Sequence, residues 1–288
     1  LVFNRKPNDE PLITYDTIGQ FIYIEADKDT LEVWYDSDTL KWNMYVQIDT
    51  LIDTIFVEPP SKNEFLAEKE LKLLTRIKEN DSKDLNPTKS IKLLFNHPLS
   101  DFDLGGILLL EDTTQIRVTP IISVDSLERR YMVVKYPWKE GTPYQLEILP
   151  NRILDQFGLV NSDTIRASYF ALPKKDFGNI VLKVLDLKPD TNYVVRLLLD
   201  RNLVEEITTQ GTTVFEKEYK MLVPGIYNVE VIEDLDANNR WSTGNYDLKR
   251  HPERIFYKTL EELRANWDVD AEMSVKNNSL NQESNDSD

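Results

Sequence analysis

Hydrophobic and polar residues alternate with a period of two from one end of the chain to the other. This pattern buries one face of an extended strand and leaves the other in water, as in antiparallel sheets. Residues such as Pro59 and Pro60, and Gly105 and Gly106, interrupt the pattern as turns do. We therefore predict an all-β fold of tandem antiparallel β-sandwich domains. The clearest buried faces are Leu31, Val33 and Tyr35; Ile55 and Val57; Ile91, Leu93 and Phe95; Tyr144, Leu146 and Ile148; and Tyr227, Val229 and Val231.

One segment departs from this pattern. Asn63 to Lys78 is rich in helix-forming residues, so its first half is a helix candidate. Leu71, Leu73 and Thr75 alternate in its second half, which favours a strand there.

The length and two polar stretches indicate the domain organisation. A chain of 288 residues corresponds to about two domains, or three if they are small. Polar joints at 78–87 and 172–179 predict a partial sandwich over 1–80 whose first strands are missing. Complete sandwiches then follow over 81–174 and 175–273. Residues 274–288 have almost nothing to bury and are predicted to form a disordered tail.

Charge and cysteine content exclude several classes of partner and site. With 34 basic and 50 acidic residues, the net charge is −16, which disfavours binding to nucleic acid and to anionic membrane surfaces. The absence of cysteine excludes disulfides, thiolate metal sites and cysteine nucleophiles. No apolar run approaches the roughly 20 residues of a membrane-spanning helix. Because the chain starts at Leu1 in the middle of a pattern, we interpret it as a fragment or a processed product.

Residues that carry catalysis are scarce in the sequence. The two histidines, His97 and His251, each precede a proline, and no phosphate-binding loop, dinucleotide fingerprint or nucleophile elbow is present. A carboxylate pair of the glycosidase type cannot be selected from 50 acidic residues. We expect no enzymatic activity and no cofactor beyond the calcium considered next.

The segment DLDANNRWSTGNYD, Asp234 to Asp247, resembles half of a calcium-binding loop. Oxygen-bearing side chains at Asp234, Asp236 and Asn238 occupy its first, third and fifth positions. Asn245 stands at the twelfth position, where a bidentate glutamate is required. The sequence therefore predicts at most a weak calcium site, and melting curves that nearly coincide in EDTA and calcium.

Two other interpretations of this segment remain open. Asp, Asn and Gly are the residues that a difficult reversal between two strands requires, because they tolerate positive φ and hydrogen-bond the backbone. In that case Trp241, together with Trp267 in the final strand, is expected to be buried in the last domain. Alternatively, Trp241 and Tyr246 form an aromatic platform for a ligand such as a sugar.

The middle of the chain resembles the bacterial Ig-like domain of the SbsA type. The resemblance rests on Phe95-Asn96 followed by Pro98-Leu99, and on the later Y-x-L strand, Asp155, Phe157-Gly158 and Asn161. It covers about 85 residues and implies an Ig-like fold. Asp155 and Asn161 are expected to bind backbone amides in a turn, and Gly158 to supply a positive φ.

The last part of the chain resembles the C-terminal region of Ig-like-domain lipoproteins of the Bacteroidetes group. It is also similar to prealbumin-like and carboxypeptidase-regulatory-like sandwiches. The resemblance rests on LVPGIYNV, WSTGNY and RANWD. Asn239 stands where the family often has glycine, and asparagine tolerates the left-handed conformation.

Together the two resemblances imply a modular protein of the cell envelope. They imply a non-enzymatic outer-membrane lipoprotein whose sandwiches act as spacer, adhesion or interaction units. The partners implied are other envelope proteins or glycans. The alternative is an accessory module that binds carbohydrate or peptide.

Overall fold

The computed structural model of the protein describes residues 12–15, 22–27, 30–35, 41–48, 51–58, 70–74, 83–244, 249 and 251–276. Regular structure in these residues is β-strand apart from short 3-10 turns at Leu104–Gly106 and Lys174–Asp176. In the same ranges, no helix has the length and apolar character needed to cross a membrane. The chain divides into two compact units, Leu1–Ala171 and Leu172–Asp288. The predicted all-β fold class is confirmed.

The first strands of unit 1 have a small core of their own. A three-stranded antiparallel sheet has the order β1-β4-β5, and β2 pairs with β3 in a hairpin. The buried residues of this core are Trp42, Met44, Val46 and Val57. The strands are β1 (Leu12–Tyr15), β2 (Ile22–Asp27), β3 (Thr30–Tyr35), β4 (Trp42–Ile48) and β5 (Leu51–Val57).

The rest of unit 1 is a sandwich with immunoglobulin topology. One sheet has the order β10-β9-β13-β15-β6, and the other has the order β11-β12-β7, so the strands fall into the C-F-G and B-E-D sets of that fold. β8 and β14 form a separate pair. The strands are β6 (Lys83–Leu85), β7 (Ile91–Leu94), β8 (Leu99–Phe102), β9 (Ile107–Glu111), β10 (Ile116–Val118), β11 (Ile121–Val124), β12 (Tyr131–Lys135), β13 (Thr142–Ile148), β14 (Ile153–Asp155) and β15 (Ile165–Ala171).

The segment 70–74 completes the second sheet of this sandwich at the position of strand A. Leu73 pairs with Phe95, and the amide of Leu74 donates to the carbonyl of Leu94 at 2.7 Å. Leu71 is buried in the core of the sandwich. The extended second half of the helix candidate is therefore confirmed as far as Leu74, and its first half lies outside the described residues. The domain boundary near residue 80 stays a prediction. Leu71 lies before this boundary in the sequence, but its side chain is buried in the core of the sandwich that follows the boundary.

The turn chemistry predicted for this sandwich is confirmed. Asp155 accepts hydrogen bonds from the amides of Phe157 and Leu159 at 2.9 and 2.7 Å. Asn161 accepts from the amides of Arg152 and Ile153. Gly158 has a φ of 83°.

Unit 2 is a second sandwich, with seven strands among its described residues. Its sheets have the orders β19-β16-β22 and β18-β17-β20-β21. Their inner faces share one core, which contains Tyr193, Tyr227 and Val229. The final strand runs through Ser274 and Val275 is buried, so the ordered chain extends beyond Met273, whereas 277–288 lie outside the described residues. The strands are β16 (Gly178–Leu185), β17 (Asn192–Leu199), β18 (Asn202–Thr209), β19 (Val214–Leu222), β20 (Tyr227–Asp234), β21 (Ile255–Thr259) and β22 (Asp268–Ser274).

The first sandwich contains a clamp of one lysine, one tyrosine and one buried glutamate. Tyr144 lies opposite Glu111 on the neighbouring strand, and the amide of Lys139 donates to the Tyr144 hydroxyl at 2.8 Å. The ammonium group of Lys139 lies 2.5 Å from the Glu111 carboxylate. The hydrogen bond from Lys139 lowers the pKa of Glu111 despite burial. The clamp therefore keeps the buried Glu111 ionised. It also ties β13, which carries Tyr144, to the loop that precedes this strand and contains Lys139.

The second sandwich repeats the clamp with different residues. Tyr193 lies opposite Glu233, and the amide of Lys188 donates to the Tyr193 hydroxyl at 3.3 Å. Lys188 and Arg254 pair with Glu233 at 2.8 and 2.6 Å. Desolvation raises the pKa of Glu233, but the bonds from Arg254 and Lys188 hold it below its usual value. Both sandwiches thus use one device to carry a buried charge.

Candidate functional site

Three carboxylates converge where β20 ends and the chain returns to β21. The side chains of Asp234, Asp236 and Glu253 each bring an oxygen within 4.8 Å of the other two. Asp234 and Glu253 are 1% and 4% exposed, whereas Asp236 is exposed. We call these three residues the carboxylate cluster.

Asp234 is held by the turn that follows it. Its two carboxylate oxygens accept the amides of Asn238 at 3.1 Å and Asn239 at 2.9 Å. Ala237 and Asn239 have positive φ angles of 56° and 62°. The prediction that Asn239 adopts the left-handed conformation is confirmed, and this conformation turns its amide towards Asp234.

Glu253 closes the loop from the other side. Its carboxylate accepts the amides of Leu235 at 2.8 Å and Ser242 at 2.7 Å. Its own amide donates to the carbonyl of Ser242 at 3.1 Å. One side chain thus binds both ends of the segment 235–242 and fixes a buried carboxylate beside Asp234.

The electrostatics of the cluster favour protonation. Desolvation raises the pKa of Asp234 although the amides of Asn239 and Asn238 oppose it, and the charge of Asp236 raises it further. Desolvation likewise raises the pKa of Glu253, with the charges of Asp236 and Asp234 adding to it. When ionised together, the three carboxylates repel one another, and a divalent cation would relieve this repulsion.

The structure brings together two of the three predicted metal residues. Asp234 and Asp236 belong to the cluster. Asn238 takes part in the turn, since its side-chain oxygen accepts the amide of Arg240 and its amide donates to Ser242. Asn245 lies outside the described residues. Glu253 supplies the carboxylate that the loop pattern lacks, from a position the sequence argument did not consider.

The prediction that Trp241 and Trp267 are buried is wrong. They are 43% and 54% exposed. The indole N–H of Trp241 donates to the carbonyl of Glu253 at 2.8 Å, which holds the ring at the surface of the loop. Trp267 precedes β22 and stacks under the guanidinium of Arg264 at 5.1 Å. Tyr246, the other residue of the predicted aromatic platform, lies outside the described residues.

His97 forms a buried pair with a carboxylate in the first sandwich. Its Nδ1 lies 2.7 Å from Oδ2 of Asp155, whose other oxygen holds the turn described above. The imidazole contacts the rings of Trp34 and Phe157 edge-on. These contacts give the pair a structural role in fixing the turn.

Comparisons with known proteins report distant structural similarity. No protein-family model matches the sequence, and no curated protein matches it. A tandem of domains from titin is similar at 7% identity and a TM-score of 0.20, covering 92% of this chain and 89% of that one.

Two bacterial structures are similar at the same level. A Bacteroides ovatus protein of a mixed-linkage glucan utilization locus, solved with a heptasaccharide, has 12% identity and a TM-score of 0.21 over 92% of this chain and 61% of its own. The major pilin subunit of Bacillus cereus has 9% identity and a TM-score of 0.22 over 86% and 88%. Similarity this low carries no functional argument, so the assignment of two β-sandwiches rests on the strand topology.

Proposed function

We propose that the protein is a non-enzymatic, modular component of the cell envelope whose β-sandwiches act as spacer or adhesion units. The observation that carries this proposal is the construction of the two sandwiches. Each has its own continuous core, and each pairs an early strand in parallel with its final strand, β6 with β15 and β16 with β22. Such self-contained units can be joined in series without depending on their neighbours.

The envelope location is supported by the resemblance to SbsA-type and Bacteroidetes Ig-like lipoproteins. The net charge of −16 suits a solvated surface and disfavours nucleic acid as a partner. The partners proposed are other envelope proteins or glycans.

Fractionation of the bacterium that produces the protein tests this proposal. We expect the protein in the membrane fraction, and we expect protease added to intact cells to remove it while a cytoplasmic marker survives. Recovery of the protein in the soluble cytoplasmic fraction, protected from protease until lysis, would contradict the proposal.

Binding of a carbohydrate or peptide is the alternative function. The exposure of Trp241 and Trp267 favours it, because aromatic rings at a surface can stack on sugars. A glycan and peptide array, run with and without calcium, distinguishes this function from a spacer. Binding that is lost in Trp241→Ala or Trp267→Ala would support it, and an array without binding would favour the spacer.

The carboxylate cluster favours calcium binding as a second function. Asp234, Asp236 and Glu253 supply the hard oxygen ligands that calcium prefers, and Glu253 replaces the missing carboxylate of the loop pattern. The dissociation constant proposed is on the order of 10⁻⁴–10⁻³ M, the range of extracellular modules. Calcium would then tie the segment 235–242 to the sandwich.

The loop pattern alone predicts melting curves that nearly coincide in EDTA and calcium. Because Glu253 adds a third carboxylate to Asp234 and Asp236, we instead expect calcium to raise the melting temperature of unit 2 by several degrees. At ten times its dissociation constant, a ligand stabilises the folded state by about 1.4 kcal/mol. In EDTA, Asp236→Asn is expected to raise the melting temperature, because it removes a charge that repels Asp234 and Glu253. The same variant should lose the calcium response, whereas Asp270→Asn, an exposed acid on β22, should keep it.

The pH dependence follows from the raised pKa values. Asp234 and Glu253 titrate in the folded protein above their ordinary values of 3.8 and 4.5. The folded state therefore binds protons more tightly than the unfolded state. Without calcium, these two groups reduce the stability of the fold as the pH rises from their ordinary pKa values to their raised ones. Protons and calcium compete, so the calcium response should disappear in acid.

Coinciding melting curves in EDTA and 10 mM calcium at neutral pH would contradict the calcium proposal.

A further inference from the structure

The first and last strands of unit 2 are parallel neighbours. β16 and β22 pair over seven residue pairs, from Asn179 opposite Asp268 to Leu185 opposite Ser274. The inner faces of both strands are buried, with Leu182 on β16 and Ala271 on β22 in the shared core. Separating these strands therefore breaks a ladder of hydrogen bonds and opens the core as well.

The ladder is continuous from one end to the other. At its start the amide of Asn179 donates to the carbonyl of Trp267 at 2.9 Å, and at its end the amide of Val275 donates to the carbonyl of Leu185 at 3.2 Å. In a parallel pair these bonds are evenly spaced, and alternate amides of each strand point to the neighbour. The amide of Ala271 therefore points towards β16. The amide of Asp270 points to the open edge of the sheet.

Side chains lock both ends of the ladder. Near the start, the side-chain amide of Asn179 donates to the carboxylate of Asp268 at 2.7 Å. Beyond the end, Asp186 accepts the hydroxyl of Ser274 at 2.6 Å and pairs with the ammonium of Lys276 at 2.9 Å. Fraying from either end must first break one of these contacts.

The direction in which the chain enters and leaves determines how force acts on this ladder. The chain enters β16 at Gly178 and leaves β22 after Ser274. Because the strands are parallel, these points lie at opposite ends of the ladder. Tension along the chain pulls the two strands past each other. Every hydrogen bond between the two backbones and both side-chain locks are therefore loaded together. In a hairpin pulled from its open end, the bonds would instead break one after another.

We infer that unit 2 is a tension-bearing module, in which the β16–β22 ladder resists force transmitted along the chain. This inference rests on the proposed role as a spacer or adhesion unit and specifies the mechanical load of that role. Among the residues that the structure describes, the sandwich of unit 1 also pairs two strands in parallel, β6 and β15, over three residue pairs.

Single-molecule pulling of the full chain in two directions tests the inference. Because the chain has no cysteine, a pair of introduced cysteines defines the points of attachment. Lys175→Cys with Ser279→Cys shears β16 against β22. Asp190→Cys with Ser279→Cys pulls the C-terminal ends of the same two strands apart and peels the ladder. Lys175 and Asp190 are exposed, and Ser279 is common to both proteins, so we expect the two proteins to have the same equilibrium stability, which denaturation checks.

The unfolding force is expected to be several-fold higher in the shearing geometry at the same pulling rate. Forced unfolding depends on the barrier, which is higher when all bonds must break together. Equal forces in the two geometries would overturn the inference, whatever cell fractionation shows about the location of the protein. If the protein lies at the cell surface but the two pulling geometries give equal unfolding forces, the proposed envelope role would stand and the tension-bearing role would not.

A pair of adjacent proline variants locates the resistance in the ladder. In the shearing geometry, Ala271→Pro should lower the unfolding force, because it removes an amide directed at β16. Asp270→Pro should leave the force close to that of the unsubstituted chain, since its amide points away from β16 at the open edge. An equal loss in both variants would contradict the assignment to the ladder. If Ala271→Pro does not fold, the comparison of the two geometries decides the question without it.

Discussion

Replacing Leu71 with alanine is expected to lower the unfolding free energy of the Ig-like sandwich by about 3 kcal/mol. Leu71 is 4% exposed and belongs to the same core as Phe95 and Leu93. It lies in the segment 70–74, which the structure places on the edge of β7. Alanine would leave a cavity between the two sheets. Chemical denaturation of the full chain, followed by a probe in this sandwich, measures the loss.

Leu74→Ala is the matched control for this prediction. Leu74 lies in the same short segment and keeps its backbone bond to Leu94, but its side chain is 47% exposed. Its replacement should change stability by about 0.5 kcal/mol or less. Equal and small effects at Leu71 and Leu74 would show that the segment is not strand A of the sandwich.

Gly178→Ala is expected to destabilise unit 2 by about 3 kcal/mol, at the upper end of the usual cost of overpacking. A Cβ at this position would lie 2.8 Å from the carbonyl oxygens of both Arg264 and Trp267, and 2.6 Å from a methyl group of Leu263. The two oxygens belong to the backbone next to β22 and cannot rotate away. Thermal unfolding of the variant should show the loss in unit 2.

Gly106→Ala provides the comparison for Gly178→Ala. The Cβ would meet the side chain of Arg152 at 2.2 Å, which is closer than any contact at Gly178. That side chain is 41% exposed and can move, with loss of its surface ion pair to Asp103. The expected cost is about 1 kcal/mol. If Gly106→Ala loses more unfolding free energy than Gly178→Ala, the claim that close backbone contacts at the start of β16 dominate the cost would be contradicted.

The strands were predictable because their buried faces follow the simplest periodicity. Leu146 and Ile148 on β13, and Val229 and Val231 on β20, all lie in the cores as the alternation requires. The turn roles of Asp155 and Asn161 were predictable for a related reason, since short polar side chains bind the backbone a few residues away.

The carboxylate cluster was only half predictable. Asp234 and Asp236 are two residues apart, so their proximity is local. Glu253 reaches them because β21 returns beside β20, and a pattern within one loop carries no information about that pairing. An acidic residue two positions before the strand that follows such a loop is the signal that would predict it.

The prediction that Trp241 and Trp267 are buried was wrong because neither ring needs the core to satisfy its contacts. The indole N–H of Trp241 is bound at the surface and the face of Trp267 is covered by a guanidinium, so both rings are satisfied without entering the core. Composition cannot distinguish this arrangement from burial.

The clamp shared by the two sandwiches leaves a partial signature in the sequence. KEGTPY at Lys139 to Tyr144 and KPDTNY at Lys188 to Tyr193 share the pattern K-x-x-T-x-Y. The partners, Glu111 and Glu233, come from a neighbouring strand in each case. The repeat therefore indicates the loop and its tyrosine, whereas the glutamate requires the strand pairing.

Calorimetry of four proteins tests most directly the claim that the chain is a series of self-contained sandwiches. These are the unsubstituted chain, Leu71→Ala, Gly178→Ala and the double variant. If the sandwiches are independent, Leu71→Ala lowers only the transition of the first sandwich and Gly178→Ala lowers only that of the second. The double variant then shows the sum of the two effects. A single transition that both substitutions lower, with a double variant that departs from the sum, would contradict the claim.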